Sequence, residues 1–206
     1  MRLTVELLDK NKHDRQAFDC GLPAVNEFLQ KQASRQMIQK INRTWVLVDQ
    51  SEVSSNPALI AGYFTLTTAT IVRDELPPTE PKGRFPGYPI PVFKLAWIGV
   101  DSNYQSKGLS LGEILLLEAL ERSYWLSEHG GIGVAIVTDP VTDRSEQFFQ
   151  KYGFRSMNRP FRDRDSLYLP MGVVKTLIEC NGEFLGLTPL PLGDRGLMLF
   201  EDWKYV

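Results

Sequence analysis

The sequence is short of the residues that staple or metallate small proteins. It holds two cysteines, Cys20 and Cys180, and two histidines, His13 and His129. Two cysteines are too few for a disulfide framework or a four-cysteine zinc site. Two histidines do not make a His-rich metal centre, so no metal is expected. An excess of charge is missing as well. The 23 Lys and Arg are met by 25 Asp and Glu, a formal net charge of -2. A protein basic over its whole surface is excluded, while a local basic patch is not. No apolar run reaches the roughly 18 residues of a membrane span. The opening MRLTVELLDKNKHD lacks the apolar stretch of a secretory signal. The expectation is a cytoplasmic chain with both thiols free and no membrane partner.

What is present is the composition of a folded domain, with 43% hydrophobic and 23% charged residues among 206. That length fits one domain with an extension, or at most two small ones. The division expected here is a domain over 1–178 and a C-terminal extension over 179–206, whose role the residues do not reveal. Residues 2–8 alternate as an edge strand does. Val25, Phe28, Leu29 and Ala33 recur at helical spacing behind Pro23, which predicts a helix over about 23–39. Residues 44–49 and 58–70 read as strands joined by a polar loop. Six prolines between 73 and 91 predict an irregular segment. Residues 92–100 and 132–138 read as buried strands, and 108–126 and 142–152 as helices, the second stopped by Gly153. A last strand is predicted over 166–171. Trp45, Tyr63, Phe64 and Trp97 read as core, and Cys20 as a small packed residue rather than a nucleophile. Strands and helices interleave, so the class is α/β or mixed α+β.

The most informative stretch runs from Ile98 to Ser110. A buried strand leaves into a short polar loop and a long apolar helix begins. The first N–H groups of a helix are unpaired and its dipole is positive there, which suits a phosphate. Gly108 permits close backbone approach, and Lys107 adds charge. An ordinary strand–turn–helix connection capped by Ser110 explains the same spacing. No P-loop and no G-x-G-x-x-G is present. Gly108-Leu109-Ser110-Leu111-Gly112 matches the G-x-S-x-G of hydrolases, but no Asp lies between Ser110 and His129, so a serine hydrolase lacks its triad.

Gln105-Ser106-Lys107-Gly108-Leu109-Ser110 resembles the Q/R-x-x-G-x-G/A acyl-CoA loop of the GNAT N-acetyltransferase superfamily. The preceding Leu95-Ala96-Trp97-Ile98-Gly99-Val100-Asp101 is similar to that superfamily's fourth strand. Ser145 to Phe154 resembles its A-x-x-F-Y-x-x-x-G-F segment. His13-Asp14-Arg15, Phe18-Asp19-Cys20-Gly21, Val25-Asn26-Glu27-Phe28-Leu29 and Ala33 resemble a narrower group, the GNAT toxins of toxin–antitoxin modules. Arg43-Thr44-Trp45-Val46 and Tyr88-Pro89-Ile90-Pro91-Val92 fit that group too. The resemblance covers roughly residues 3–175.

The resemblance implies a central mixed, mostly antiparallel sheet with helices on both faces, splayed between its fourth and fifth strands, here 93–100 and 132–138. It implies acetyl-CoA as acyl donor, with pantetheine against Ile98, Gly99 and Val100. The pyrophosphate would lie on N–H groups from Gln105, Ser106, Lys107, Gly108, Leu109 and Ser110, with Phe148 and Phe149 beside the donor. Phe149 stands where the family has a Tyr that protonates the departing thiolate, and Tyr152 is the one nearby substitute. The catalytic residue is therefore left open. The acceptor implied is the α-amino group of aminoacyl-tRNA. That amine titrates near about 8 and needs less help from a base than a lysine at about 10.4. Lys31, Arg35, Lys40, Arg43 and Arg84 are the candidate tRNA contacts, because a basic face on an acidic protein is what a phosphate backbone requires. The arginines at 155, 159, 162 and 164 extend that charge. Further partners considered are a cognate antitoxin and a second copy of the chain. Two other readings stay open: a GNAT enzyme acting on a protein or small-molecule amine, and an acyl-CoA-binding or partner-binding module with weak chemistry.

Overall fold

The computed structural model describes residues 3–49, 57–105 and 108–182. Eight strands and five α-helices alternate along it: β1 (Leu3–Leu7), β2 (His13–Asp14), α1 (Pro23–Glu27), α2 (Ala33–Ile38), β3 (Arg43–Asp49), β4 (Ala58–Ile71), β5 (Ile90–Val100), α3 (Leu111–Gly130), β6 (Ala135–Thr138), α4 (Asp143–Lys151), β7 (Arg155–Phe161), β8 (Arg164–Pro170) and α5 (Met171–Gly182). The sheet runs β1-β3-β4-β5-β6-β8-β7, with β2 attached to β4. Within that path all neighbours are antiparallel except β5 and β6, which are parallel. This is the mixed, mostly antiparallel sheet of the GNAT fold. With the two-residue β2 set aside, β5 and β6 are its fourth and fifth strands.

Alternation along the strands sorts the core between two faces. Phe64, Leu66, Phe93, Leu95 and Ile136 look toward α3, where Leu115, Leu116, Ala119 and Leu120 are wholly buried. Burying each such leucine stabilises the fold by roughly 1.5–3 kcal/mol. Gly62 lets α3 settle this close, since a Cβ there would stand 2.7 Å from a Leu115 methyl. Val46, Val48, Ile60 and Tyr63 look the other way, toward Val25, Phe28, Leu29 and Ala33. A third cluster, with Ile71, Ile90, Val92, Val137 and Tyr168, lies under the proline-rich segment through the buried Leu76.

The helix expected over 23–39 is a broken one. A π-helical turn at Phe28–Gln32 separates α1 from α2, because both Phe28 and Leu29 turn into the core in succession. Residues 73–91 are irregular apart from single 3-10 turns at Arg73–Glu75 and Lys82–Arg84. The strand expected over 92–100 begins at Ile90 and includes Pro91, and the one expected over 132–138 begins only at Ala135. Three elements escaped the sequence, of which β2 is only the two-residue pairing of His13–Asp14 with Ala58 and Leu59. β7 carries Arg155, Arg159 and Pro160 and lies at the sheet edge, where charge and proline are tolerated and the apolar alternation fades. α5 is held by the packing of Met171 and Val174 in the α3 core rather than by its own periodicity. It spans the expected boundary at 178/179, and residues 183–206 of the expected extension lie outside the described residues.

Candidate functional site

The site begins where β5 and β6 part. Their pairing is three residues long, Phe93–Ile136, Lys94–Val137 and Leu95–Thr138. Beyond it β6 ends, while β5 continues to Val100 against β4. The register on β4 slips between Leu95 and Trp97, so Ala96 is an extra residue at the parting. Such a bulge bends a strand and sharpens its twist. Ala96 to Val100 are all half-exposed, although β5 is the central strand and Val92, Phe93 and Leu95 just before are buried.

The register also fixes which main-chain groups face the opening. Asp101 N–H donates to Ala61 O (3.0 Å). In an antiparallel ladder every second residue makes such an exchange. Gly99 and Trp97 therefore bond to β4, while Ile98 and Val100 turn their N–H and C=O toward the side that β6 leaves vacant. One of those groups is satisfied: Gln105 Nε2 donates to Val100 O (2.8 Å) and also to Cys20 O (3.1 Å).

The loop after β5 runs into the start of α3. Gly108 (φ 69) and Ser110 (φ 46) both adopt the left-handed conformation. That is inexpensive for glycine and costly for serine. Ser110 makes no side-chain capping bond, so the ordinary capped connection is not what forms. A left-handed residue just ahead of an uncapped helix turns the first N–H groups toward one point, an arrangement suited to an anion. Gln105 departs from expectation. Its side chain is committed to Val100 and Cys20, and its own N–H donates to Asp101 O (3.1 Å). Of the expected cradle, Gly108, Leu109 and Ser110 stand exposed at the helix start, while Ser106 and Lys107 lie outside the described residues.

Phe148 stands over the first turn of α3, its ring 3.9 Å from where a Cβ on Gly112 would sit. Phe149 faces inward, 2% exposed, 5.3 Å from Phe154 between ring centres. Tyr152 is buried too. Burial, with a hydrogen bond to Glu113 and the charge of that carboxylate, raises its phenol above the ordinary tyrosine range.

The amino-terminal motif proves to be a clasp. Asp101, 4% exposed, accepts from Asp19 N–H and from both Asn103 N–H and Asn103 Nδ2, each at 2.9 Å. Ser102 N–H donates to Asp19 O (2.8 Å). Asp19 in turn accepts from Gly21 N–H (2.8 Å) and Asn26 Nδ2 (2.6 Å). Phe18 to Asn26 thus tie α1 to the end of β5. Burial pushes the half-buried Cys20 thiol up, as befits a packing residue. His13 is buried, accepts from Asp9 N–H (2.9 Å) and meets Glu6 (2.8 Å), so it orders the loop after β1. Asp101→Ala would remove the acceptor of three part-buried hydrogen bonds, each worth about 0.5–1.5 kcal/mol. We expect a loss of about 2–4 kcal/mol in chemical denaturation, with a smaller loss for Asp101→Asn.

The basic residues do not all face outward unpaired. Lys31 meets Glu27 (3.0 Å), one turn back on the same helical face. Arg155 meets Glu80, Arg159 meets Glu75, and Arg164 is bound by Asp143 and Glu146. These arginines hold the β7–β8 hairpin to its neighbours. Arg35, Lys40 and Arg84 are exposed, and Arg43 is half-buried on β3. Among the described residues no group of three or more His, Cys, Asp or Glu is placed to hold a metal, and no helix is long and apolar enough to cross a membrane.

A sheet parted at its fourth and fifth strands, with an anion-receptive helix start beside the parting, is the arrangement of the GNAT N-acyltransferase fold. No protein-family model matches the chain. Its relatives are toxins of toxin–antitoxin modules. It is 27% identical over 182 residues to a probable toxin TacT of Sinorhizobium fredii, covering 84% of this chain and 94% of that one. AtaT complexed with acetyl-methionyl-tRNAfMet is similar with a TM-score of 0.73 and 25% identity, over 86% of this chain and 99% of that one. AtaTR bound with acetyl-CoA gives a TM-score of 0.70 and 26% identity, over 85% and 98%.

Proposed function

We propose that this chain transfers acetyl from acetyl-CoA to the α-amino group of an aminoacyl-tRNA in the cytoplasm, as a translation-blocking toxin does. The observation that carries this reading is the half-exposed run from Ala96 to Val100 in the centre of the sheet, with the main-chain groups of Ile98 and Val100 turned to the opening. An extended pantetheine arm pairs there as an added strand would. Its pyrophosphate meets the N–H groups from Gly108 into α3. The toxins acting with acetyl-CoA and tRNA supply the acceptor class.

The chemistry follows from those groups. The neutral amine attacks the thioester carbonyl carbon, a C–N bond forms, and the oxygen takes the negative charge. A preorganised N–H of β5 stabilises that charge where it develops. The C–S bond then breaks and the ammonium proton passes to water. With Phe149 in the core and the Tyr152 phenol made a poorer acid by burial and the Glu113 carboxylate, the CoA thiolate departs unprotonated, as a thiol of pKa about 8.5 allows. Arg35, Lys40, Arg43 and Arg84 are the tRNA contacts of this reading.

Transfer of radiolabelled acetyl to bulk aminoacylated tRNA, with none to deacylated tRNA, is the expected result. Transfer to a peptide or small amine alone would overturn the tRNA acceptor. A second reading, acyl-CoA binding without turnover, is favoured by the buried Phe149. Thermal stabilisation by acetyl-CoA with no CoA release across amines would select it.

A further inference from the structure

The face of the sheet opposite α3 carries a polar row that no part of the core explains. Lys94 on β5 lies beside Val137 on β6, and Val137 lies beside Tyr168 on β8. Strand alternation puts Lys94, Asp139 and Ser166 on that same face. They touch: Lys94 Nζ donates to Asp139 Oδ2 (2.5 Å), and Ser166 Oγ donates to Asp139 Oδ1 (2.6 Å). Ser166 is buried, and the Asp139 carboxylate is 13% exposed beside a lysine that is 27% exposed. The Lys94 ammonium also lies 5.9 Å from the centre of the Phe161 ring. A partly buried charge pair between strands adds little stability over apolar residues in its place, so its presence points to a function.

Its place in the fold supplies one. Asp139 is the first residue after the last β5–β6 pair, so it stands at the parting itself. The donor's phosphates belong at the start of α3, on the opposite face, where Phe148 stands over the first turn of α3. An acceptor must reach the thioester from the face that Asp139 occupies. Resting on the acetyl-transfer reading above, we propose that Asp139 is a substrate-positioning residue. Its carboxylate, fixed by Lys94 and Ser166, accepts a hydrogen bond from the acceptor amine and aims the nitrogen lone pair through the parting. A carboxylate has about four acceptor positions, of which the two protein donors use two. Lys94 holds the carboxylate in place and offers further N–H groups to the acceptor. The anion therefore favours an acceptor that donates a hydrogen bond, as a primary amine does, and disfavours a carboxylate at that point.

The test compares the full-length wild type with Asp139→Asn and Ser166→Ala, each checked for folding by its unliganded melting temperature. Hydrogen bonds to a charged group are the strong ones, so Asp139→Asn should lower the apparent kcat/KM for bulk aminoacylated tRNA by roughly tenfold to a hundredfold. The KM for acetyl-CoA and the thermal shift it produces should stay unchanged. Ser166→Ala, which removes one partner of the carboxylate, should give a loss of about threefold to tenfold in the same parameter. An equal loss for donor and acceptor, or acceptor kinetics untouched in both folded variants, would overturn the role of Asp139 while leaving acetyl transfer standing. Failure of the wild type itself to transfer acetyl to any amine would overturn both.

Discussion

Replacing Ile98 by proline should abolish stabilisation by acetyl-CoA and lower acetyl transfer by at least about a hundredfold, the scale set by removing one donor to a developing oxyanion. The reasoning is specific to the ladder. Ile98 lies between Trp97 and Gly99, whose main-chain groups bond to β4, and its own N–H faces the parting. Proline there removes a donor that the sheet does not use and puts ring carbons into the space the donor would fill. The unliganded fold should lose only about 1–3 kcal/mol, from strained φ and the lost Ile98 side chain that packs beside the α3 core. Ile98→Val, which keeps the N–H, should bind acetyl-CoA as the wild type does. Paired thermal melts with and without acetyl-CoA separate the two effects. A folded proline variant that acetyl-CoA still stabilises would remove the main-chain account of donor binding.

The second large effect is a gain. Phe149→Tyr should raise the rate of CoA release by about tenfold, below the full range of general acid catalysis because a thiolate already leaves readily. Phe149 precedes Gln150 near the end of α4, its ring angled at 63° to that of Phe148 beside the donor end of the cleft. The gain requires a tyrosine ring to leave the Phe154 contact and turn past Phe148 toward the donor, which brings the phenol proton to the departing sulfur without changing the backbone. Tyr152→Phe should leave turnover within about twofold, since burial and the Glu113 carboxylate make the Tyr152 phenol a poor acid. Unchanged turnover in Phe149→Tyr would reject protonation as the limiting step. A large loss in Tyr152→Phe would assign the acid to Tyr152.

The two aromatic positions illustrate how much of the site was legible. Phe149 and Tyr152 are adjacent in the helical pattern, and spacing alone does not say which phenyl ring faces the core and which phenol meets a carboxylate. Only the packing of Phe149 on Phe154, and of Tyr152 on Glu113, decides it. The basic residues teach the same lesson. Lys31 and the arginines at 155, 159 and 164 are charges without owners in the sequence, but folding gives each a carboxylate. Asp139 went unread because it is one acid in a turn, and its partners Lys94 and Ser166 are 45 and 27 residues away along the chain. The Phe18-Asp19-Cys20-Gly21 run was visible as a signature, but its purpose, clasping Asp101 across 82 residues, was not.

The sequence by itself determined the class of the domain, the order of its strands and helices through β6 apart from the short β2 and the break between α1 and α2, and the loop between Val100 and Ser110. Those rest on local causes: apolar periodicity, proline density, a glycine before a helix. Tertiary structure alone decided that β5 and β6 part after three pairs, that Ile98 and Val100 face the opening, and that an acid, a lysine and a serine meet on the acceptor face. Each of these depends on register between segments distant in the chain, and register is set by the packing of whole faces rather than by any one segment.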